Sequence, residues 1–343
     1  MSGETTSTPA NQGNSVEIKY SGSRYKVIDR IGSGGQACVD LAIDTTNGVR
    51  VALKLPHDNQ NYLSGGYFDR EHAILRTLSQ HTKQVPQLYD FQRSPPYLAM
   101  HFIPGKTIYA KIEDKTIYEQ YSLDERVAMI AAVCAPLTAA HMMGIIHRDI
   151  KPDNILLSDD KELYLIDWAL AKKTLETIYA PNETPFSGQS DGTQVVGTLR
   201  YCPPEQLDGS CTLSSDVYSL GAVLYELAAK RPFRNFNSTL NPAQRIRMIK
   251  AANGFITYVK PAVPAGLLSI LEKAYSPKQR TRFANAYEFG FALNEYLNST
   301  SPHPPSGKNS QSHTNCTPEQ EPCTLLAREP STATESVSTS PLE

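Results

Sequence analysis

His147-Arg148-Asp149-Ile150-Lys151-Pro152-Asp153-Asn154 gathers an imidazole, two cations, two carboxylates and an amide into eight residues. Upstream, Leu123 to Met143 is dominated by apolar and small residues and reads as a long helix. Downstream, Ile155-Leu156-Leu157 is a short apolar run with the look of a buried strand. The polar groups between them therefore sit on a loop braced on both sides, where a rigid scaffold can hold side chains for chemistry. A charged helix-to-strand turn without chemistry has the same local pattern, so the surrounding sequence has to decide.

On the N-terminal side the pattern is that of strands. Val39, Leu41 and Ile43 alternate with other residues, Asn47-Gly48 supplies a turn, and Val49, Val51, Leu53 and Leu55 alternate again, which predicts an antiparallel hairpin. A helix follows over Tyr67 to Ser79, and further short strands run through Phe91 and from Tyr97 to Phe102. After Pro104-Gly105 the pattern turns helical: Leu123 to Met143, Ser215 to Lys230, Pro242 to Ala252, Ala265 to Tyr275 and Asn285 to Leu297. The expected fold is α+β and bilobal, with a small antiparallel β-rich lobe ahead of a larger helical one. A cleft between two such units is a natural ligand site.

Composition narrows the function classes. The 343 residues carry 33 basic and 35 acidic side chains, a net charge of −2, 40% apolar and 20% charged residues. That balance offers no sequence-wide attraction to nucleic acid or to an acidic membrane surface. Six cysteines (Cys38, Cys134, Cys202, Cys211, Cys316, Cys323) include no C-x-x-C pair, which fits a reducing compartment and a cytoplasmic location better than a disulfide framework or a zinc site. The first residues lack the basic region and apolar core of a secretory signal. The apolar stretch Val127 to Ile146 contains Pro136 and His141, so a buried helix is expected there and no membrane span. Residues 1–23 are polar and without periodicity, and about half of residues 299–343 are Ser, Thr or Pro. Both ends are expected to be disordered arms, the second rich in modifiable hydroxyls.

Three further features carry chemistry. Gly32-Ser33-Gly34-Gly35-Gln36-Ala37 lets backbone amides approach a phosphate closely. Because a strand follows it, a plain hairpin turn fits as well, and the dinucleotide and Walker-type loops do not. Val51-Ala52-Leu53-Lys54 puts Lys54 on the Ala52 face of the next strand. In the helix beyond, Glu71, Ile74, Leu75 and Leu78 fall at i, i+3, i+4 and i+7. This places a carboxylate on the apolar stripe. A carboxylate facing a core needs a cation, because burying it unpaired is costly, and Lys54 is the natural partner.

With these residues in order, His147 to Asn154 resembles the catalytic loop H-R-D-x-K-P-x-N of the eukaryotic-type (Hanks-type) protein serine/threonine kinases, and the resemblance extends from Tyr25 to Leu297. It implies a kinase domain over 24–298, with an N-lobe over about 24–103 and a C-lobe over about 104–298. The activity implied is ATP- and Mg²⁺-dependent transfer of the γ-phosphoryl group to protein Ser or Thr hydroxyls, with Mn²⁺ as a substitute metal. By position in the motifs, Asp149, Lys151, Lys54 and Glu71 are the catalytic set, and Asn154 and Asp167 the metal ligands. The nucleotide would be lined by Ile31, Gly32, Ser33, Gly34, Gly35, Gln36, Ala37, Cys38, Val39, Ala52, Lys54, Met100, His101, Phe102, Ile103 and Leu156.

The family's D-F-G reads Asp167-Trp168-Ala169 here, with Trp168 expected in an apolar slot beside His147 and Leu75, and with Ala169 expected to restrict the segment. Pro203-Pro204-Glu205 stands for A-P-E, and by position Arg280 is the expected partner of Glu205. Asp216 resembles the helix-start Asp that braces the catalytic loop. Lys151 and Gly197-Thr198 favour Ser/Thr acceptors. Arg148 would meet a phosphate on the segment bearing Thr184, Ser187, Ser190 and Thr193, Thr193 first among them, with self-phosphorylation in trans as its source. The resemblance implies protein substrates, no nucleic acid and no membrane span. A scaffold that binds nucleotide or partner proteins without turnover, and a kinase of small molecules, are the competing expectations.

Overall fold

The computed structural model describes residues 24–34, 37–57, 67–174, 199–237, 239–251 and 263–300. Its first part contains β1 (Tyr25–Ser33), β2 (Ala37–Asp44), β3 (Arg50–Pro56), α1 (Tyr67–Leu78), β4 (Leu88–Arg93) and β5 (Pro96–His101). The strands form one antiparallel sheet in the order β1-β2-β3-β5-β4. The β2–β3 turn is made as expected. Gly48 takes φ 75°, open to glycine without strain, and its N–H donates to Asp44 O at 2.8 Å.

Register decides which side chains share a face. Val39 lies opposite Lys54, Leu41 opposite Ala52, Leu98 opposite Lys54 and Met100 opposite Ala52. Directly paired residues project to the same side, so these six line one surface. The other surface closes over Tyr25, Cys38, Ala42, Val51, Leu53, Leu55 and Ala99. The apolar alternation Val39, Leu41, Ile43 thus marks the half-buried side of β2. Its buried residues are Ala37, at the start, and then Cys38, Asp40, Ala42 and Asp44. Two aspartates are accommodated there because Arg30 Nε donates to Asp40 at 2.9 Å and Arg24 Nε to Asp44 at 2.9 Å.

The second part contains β6 (Gly105–Thr107), α2 (Ile108–Glu113), α3 (Thr116–Gln120), α4 (Leu123–Met142), β7 (Ile145–Ile146), β8 (Ile155–Ser158), β9 (Leu163–Leu165) and β10 (Lys172–Lys173). Then come α5 (Leu213–Ala229), α6 (Pro242–Ala251), α7 (Ala265–Ala274) and α8 (Ala286–Thr300). Strands β6, β8 and β9 form a small sheet, and β7 pairs with β10. Helix α4 starts on a capping box in which Ser122 and Glu125 satisfy each other's backbone N–H groups. Its residues Val127, Ile130, Val133, Leu137 and Ala140 are buried. Among the described residues no helix is long and apolar enough to cross a membrane.

One apolar core runs from Ile74, Leu75 and Leu78 of α1 through Ile150, Leu165 and Trp168 to α4, α5, α7 and α8. Helix α1 is therefore seated on the helical part, which fixes the position of Glu71. Close helix contacts depend on two glycines. A Cβ at Gly221 would lie 2.8 Å from the Ala274 Cβ, and one at Gly290 would lie 2.8 Å from the Cys134 Cβ. Gly221→Ala should therefore destabilise the fold. The gain of about 1 kcal/mol in helix propensity is outweighed by overpacking, which costs about 1–3 kcal/mol. The check is a thermal melt, which falls by about 2–4 °C per kcal/mol in a domain of this size; a higher melting temperature would show that α7 gives way.

Candidate active site

Lys54 reaches the cleft-facing surface of the sheet because β3 alternates, and Glu71 meets it from the first turns of α1. Lys54 Nζ donates to Glu71 Oε1 at 2.8 Å and Oε2 at 2.7 Å, and to Asp167 Oδ1 at 2.9 Å. Glu71 is 1% exposed and Lys54 7%, whereas the Asp167 side chain is 41% exposed. The expected Lys54–Glu71 pair is thus present, with Asp167 on its open side. Desolvation alone would raise the Asp167 carboxyl; Lys54 and Lys151 outweigh it and hold it well below the usual carboxylate range.

The catalytic-loop segment is held by its own side chains. Asn154 Nδ2 donates to Asp149 O at 2.8 Å and to Asp149 Oδ2 at 3.0 Å, and Lys151 Nζ donates to the same Oδ2 at 2.7 Å. Burial would lower the Lys151 ammonium, but the neighbouring Asp149 carboxylate prevails and raises it. Asp149 N–H donates to His147 Nδ1 at 3.3 Å, so the ring proton belongs on Nε2, which lies 3.2 Å from Ile166 O. Burial depresses the His147 imidazole despite the carboxylates around it, and the ring stays neutral. The Trp168 ring stands 4.5 Å from the His147 ring and is fully buried in the cluster that includes Leu75, the slot expected for it. Ala169 packs with Phe68 and Leu98.

Asp216, at the start of α5, accepts from His147 N–H at 2.8 Å and from Arg148 N–H at 2.9 Å. His141 Nε2 lies 3.0 Å from the same carboxylate. Both Arg148 and Asp167 have positive φ, 65° and 60°. Arg148 is buried, with Nε donating to Leu170 O at 2.7 Å.

The expected Glu205 partner needs correction. Arg282, not Arg280, donates to Glu205 Oε1 at 2.6 Å and Oε2 at 2.9 Å. Arg280 is exposed. The short 3-10 turn Gln279–Thr281 carries position 280 to the outside, while Arg282 folds back with Nε on Ser276 O at 2.6 Å. Counting motif spacing cannot see that turn.

The residues expected around a nucleotide divide by register. Val39, Ala52, Lys54 and Met100 share the cleft-facing surface, and Gly32 pairs with Val39 from β1. Ile31 and Ser33 lie on β1, and Gly34 N–H donates to Ala37 O at 2.8 Å. Cys38 projects to the opposite surface, with Sγ 3.6 Å from Leu55 O, which leaves only its backbone on the cleft side. His101 ends β5 and donates its N–H to Gln87 O, Phe102 lies under Arg50, and Ile103 is buried. Leu156 is half-buried in β8 between buried neighbours. Gly35, Gln36, Thr184, Ser187, Ser190, Thr193, Gly197 and Thr198 fall outside the described residues, as do 1–23 and 301–343; the arm expected from 299 starts later, because α8 continues through Ser299 and Thr300.

Two anchors escaped the sequence reading. Arg234, fully buried, donates through Nη1 to Leu199 O at 2.8 Å and Cys202 O at 2.6 Å, which shapes the segment before Pro203. Gln206 Nε2 donates to Arg148 O at 2.7 Å. Neither residue lies on a periodic face, and no spacing rule points to either.

A family model described as a protein kinase domain matches residues 25–297. The chain belongs to the protein kinase family. The expected bilobal α+β architecture is the one found. Relatives of this kinase domain include the serine/threonine-protein kinase PknD of Chlamydia felis, 30% identical over 80% of this chain and 31% of its own length. The serine/threonine-protein kinase PknA of Nostoc is 32% identical over 79% of this chain and 47% of its own. The serine/threonine-protein kinase C of Synechocystis is 31% identical over 78% of this chain and 49% of its own. The chain thus spans about a third to a half of the length of these curated relatives.

Proposed function

We propose that this chain is a protein serine/threonine kinase that transfers the γ-phosphoryl group of ATP, with Mg²⁺, to Ser or Thr hydroxyls of protein substrates. The kinase domain would cover the expected 24–298 and the two further residues of α8, Ser299 and Thr300, with arms at 1–23 and 301–343. The observation that carries the reading is the convergence of Lys54, Glu71 and Asp167 beside the Asp149, Lys151 and Asn154 cluster. The Ser/Thr class draws further on the names of the relatives and on Lys151.

The donor set suits magnesium. Asp167 offers a partly exposed carboxylate. Asn154, whose Nδ2 is turned to Asp149, offers its Oδ1. Mg²⁺ takes few protein oxygens and fills its shell with water and phosphate oxygens; bound there, it would neutralise charge on the transferring phosphate. Lys54, oriented by Glu71, would hold the α- and β-phosphates. Asp149 would orient the acceptor hydroxyl and take its proton, while Lys151 would steady the transferring group. Positioning and electrostatics suffice, without a covalent enzyme intermediate. Control through phosphates on Thr184 to Thr193, added in trans, belongs to this reading through the position of Arg148. A cytoplasmic location accords with four free, buried cysteines among the described residues.

The test is transfer of radiolabelled phosphate from ATP to a generic basic protein. Wild type should label it with Mg²⁺ or Mn²⁺. Lys54→Met should reduce labelling by at least about a hundredfold, the scale of one lost electrostatic contact to the transition state, and should lessen thermal stabilisation by Mg-ATP. Equal labelling by wild type and variant would overturn the catalytic reading, and nucleotide binding without labelling would favour a scaffold.

A further inference from the structure

We propose that Gln206 is a positioning residue for Asp149, so that the segment following the activation loop controls the geometry of the acceptor-activating carboxylate. The inference rests on the kinase reading above. Its basis is the peptide unit joining Arg148 to Asp149. The carbonyl of that unit accepts from Gln206 Nε2 at 2.7 Å, and its N–H donates to His147 Nδ1 at 3.3 Å. The preceding N–H, on Arg148, is taken by Asp216 at 2.9 Å. Arg148 itself sits at φ 65°, a conformation that residues with a Cβ adopt only when their surroundings hold them there.

Three partners therefore fix one strained turn, and the turn sets the direction from which the Asp149 side chain leaves the backbone. Two of the partners belong to the loop and its brace. Gln206 comes from the 3-10 turn Pro204–Asp208, next to Glu205. Glu205 is clamped by Arg282 and accepts from Ser215 Oγ at 2.7 Å, and Ser215 is the neighbour of Asp216. The turn that holds Arg148 O is thereby tied rigidly to the brace that holds Arg148 N–H. Gln206 is 1% exposed, so water cannot easily replace its N–H. Without that donor the Arg148 carbonyl loses its 2.7 Å contact to Gln206, and rotation of the 148–149 peptide relieves the positive φ. Such a rotation re-aims Asp149 without touching Lys54, Glu71 or Asp167.

This predicts a split in kinetic constants that a general loss of stability would not produce. Gln206→Met keeps length and bulk but removes the donor. It should lower kcat for phosphorylation of a basic protein at least tenfold, with KM for ATP and thermal stabilisation by Mg-ATP within twofold of wild type. Gln206→Glu, which retains size but cannot donate when ionised, should behave likewise. If the Met variant no longer binds nucleotide, the Glu variant decides the matter by the same split. Unchanged kcat in a folded variant, or kcat and ATP affinity falling together in both variants, would overturn the inference. Absence of labelling by wild type would instead overturn the kinase reading itself, so the two failures are distinguishable.

Discussion

Asp149→Asn is expected to cut phosphate transfer by about 10²–10⁴-fold, the range contributed by a positioned acid–base group, while Mg-ATP still stabilises the protein. The substitution is close to isosteric. Asn154 Nδ2 retains the Asp149 backbone carbonyl at 2.8 Å as an acceptor, and Asp216 still takes the two N–H groups before it, so the loop keeps its shape. What disappears is a carboxylate able to accept the hydroxyl proton and the charge facing Lys151 Nζ at 2.7 Å. The Lys54, Glu71 and Asp167 pairs lie outside this change. Labelling and thermal shift measured on the same preparation separate the outcomes: transfer lost with stabilisation retained supports the assignment, and transfer retained refutes it.

Arg282→Ala should be the most destabilising of the substitutions considered, by about 3–5 kcal/mol, because it strands a partner of a buried ion pair. The Arg282 side chain is fully buried and the Glu205 side chain is 11% exposed. Besides two bonds to Glu205, the guanidinium donates to Ser214 O at 3.2 Å and lies 4.7 Å from the centre of the Tyr218 ring. Arg280→Ala, at an exposed position, should stay within about 0.5 kcal/mol of wild type. Denaturant melts of the two variants give the comparison directly. A reversed order would return the role to Arg280, and two small effects would show that Glu205 finds another partner.

The contrast between these two arginines shows where reading along the chain stops. Lys54 with Glu71 was legible because helical periodicity placed a carboxylate on a buried stripe, and a buried charge has few acceptable partners. Asp149 and Asn154 were legible because they lie within a compact motif between apolar elements, and Asp167 because Asp167-Trp168-Ala169 resembles the family's D-F-G. Arg282 was missed by two residues because a 3-10 turn intervened, and local spacing carries no information about which way a turn delivers its exit. The burial of Asp40 and Asp44 on β2 was also hidden. Alternation of Val39, Leu41 and Ile43 locates a strand, but which face is covered depends on Arg30 and Arg24 arriving from elsewhere.

Patterning and motif order, taken alone, determined the bilobal α+β plan, the antiparallel hairpin, the succession of helices and the cluster around Asp149, since each rests on periodicity or on neighbours within a few residues. Tertiary structure decided the rest. It chose Arg282 for Glu205, set Arg234 under the carbonyls of Leu199 and Cys202, turned Cys38 away from the cleft, and brought Gln206 to the carbonyl of Arg148. The physical reason is common to all four. These are contacts between residues remote in the chain or on opposite sides of a strand, and their partners are selected by burial and hydrogen-bond satisfaction only after the helices and sheet have packed.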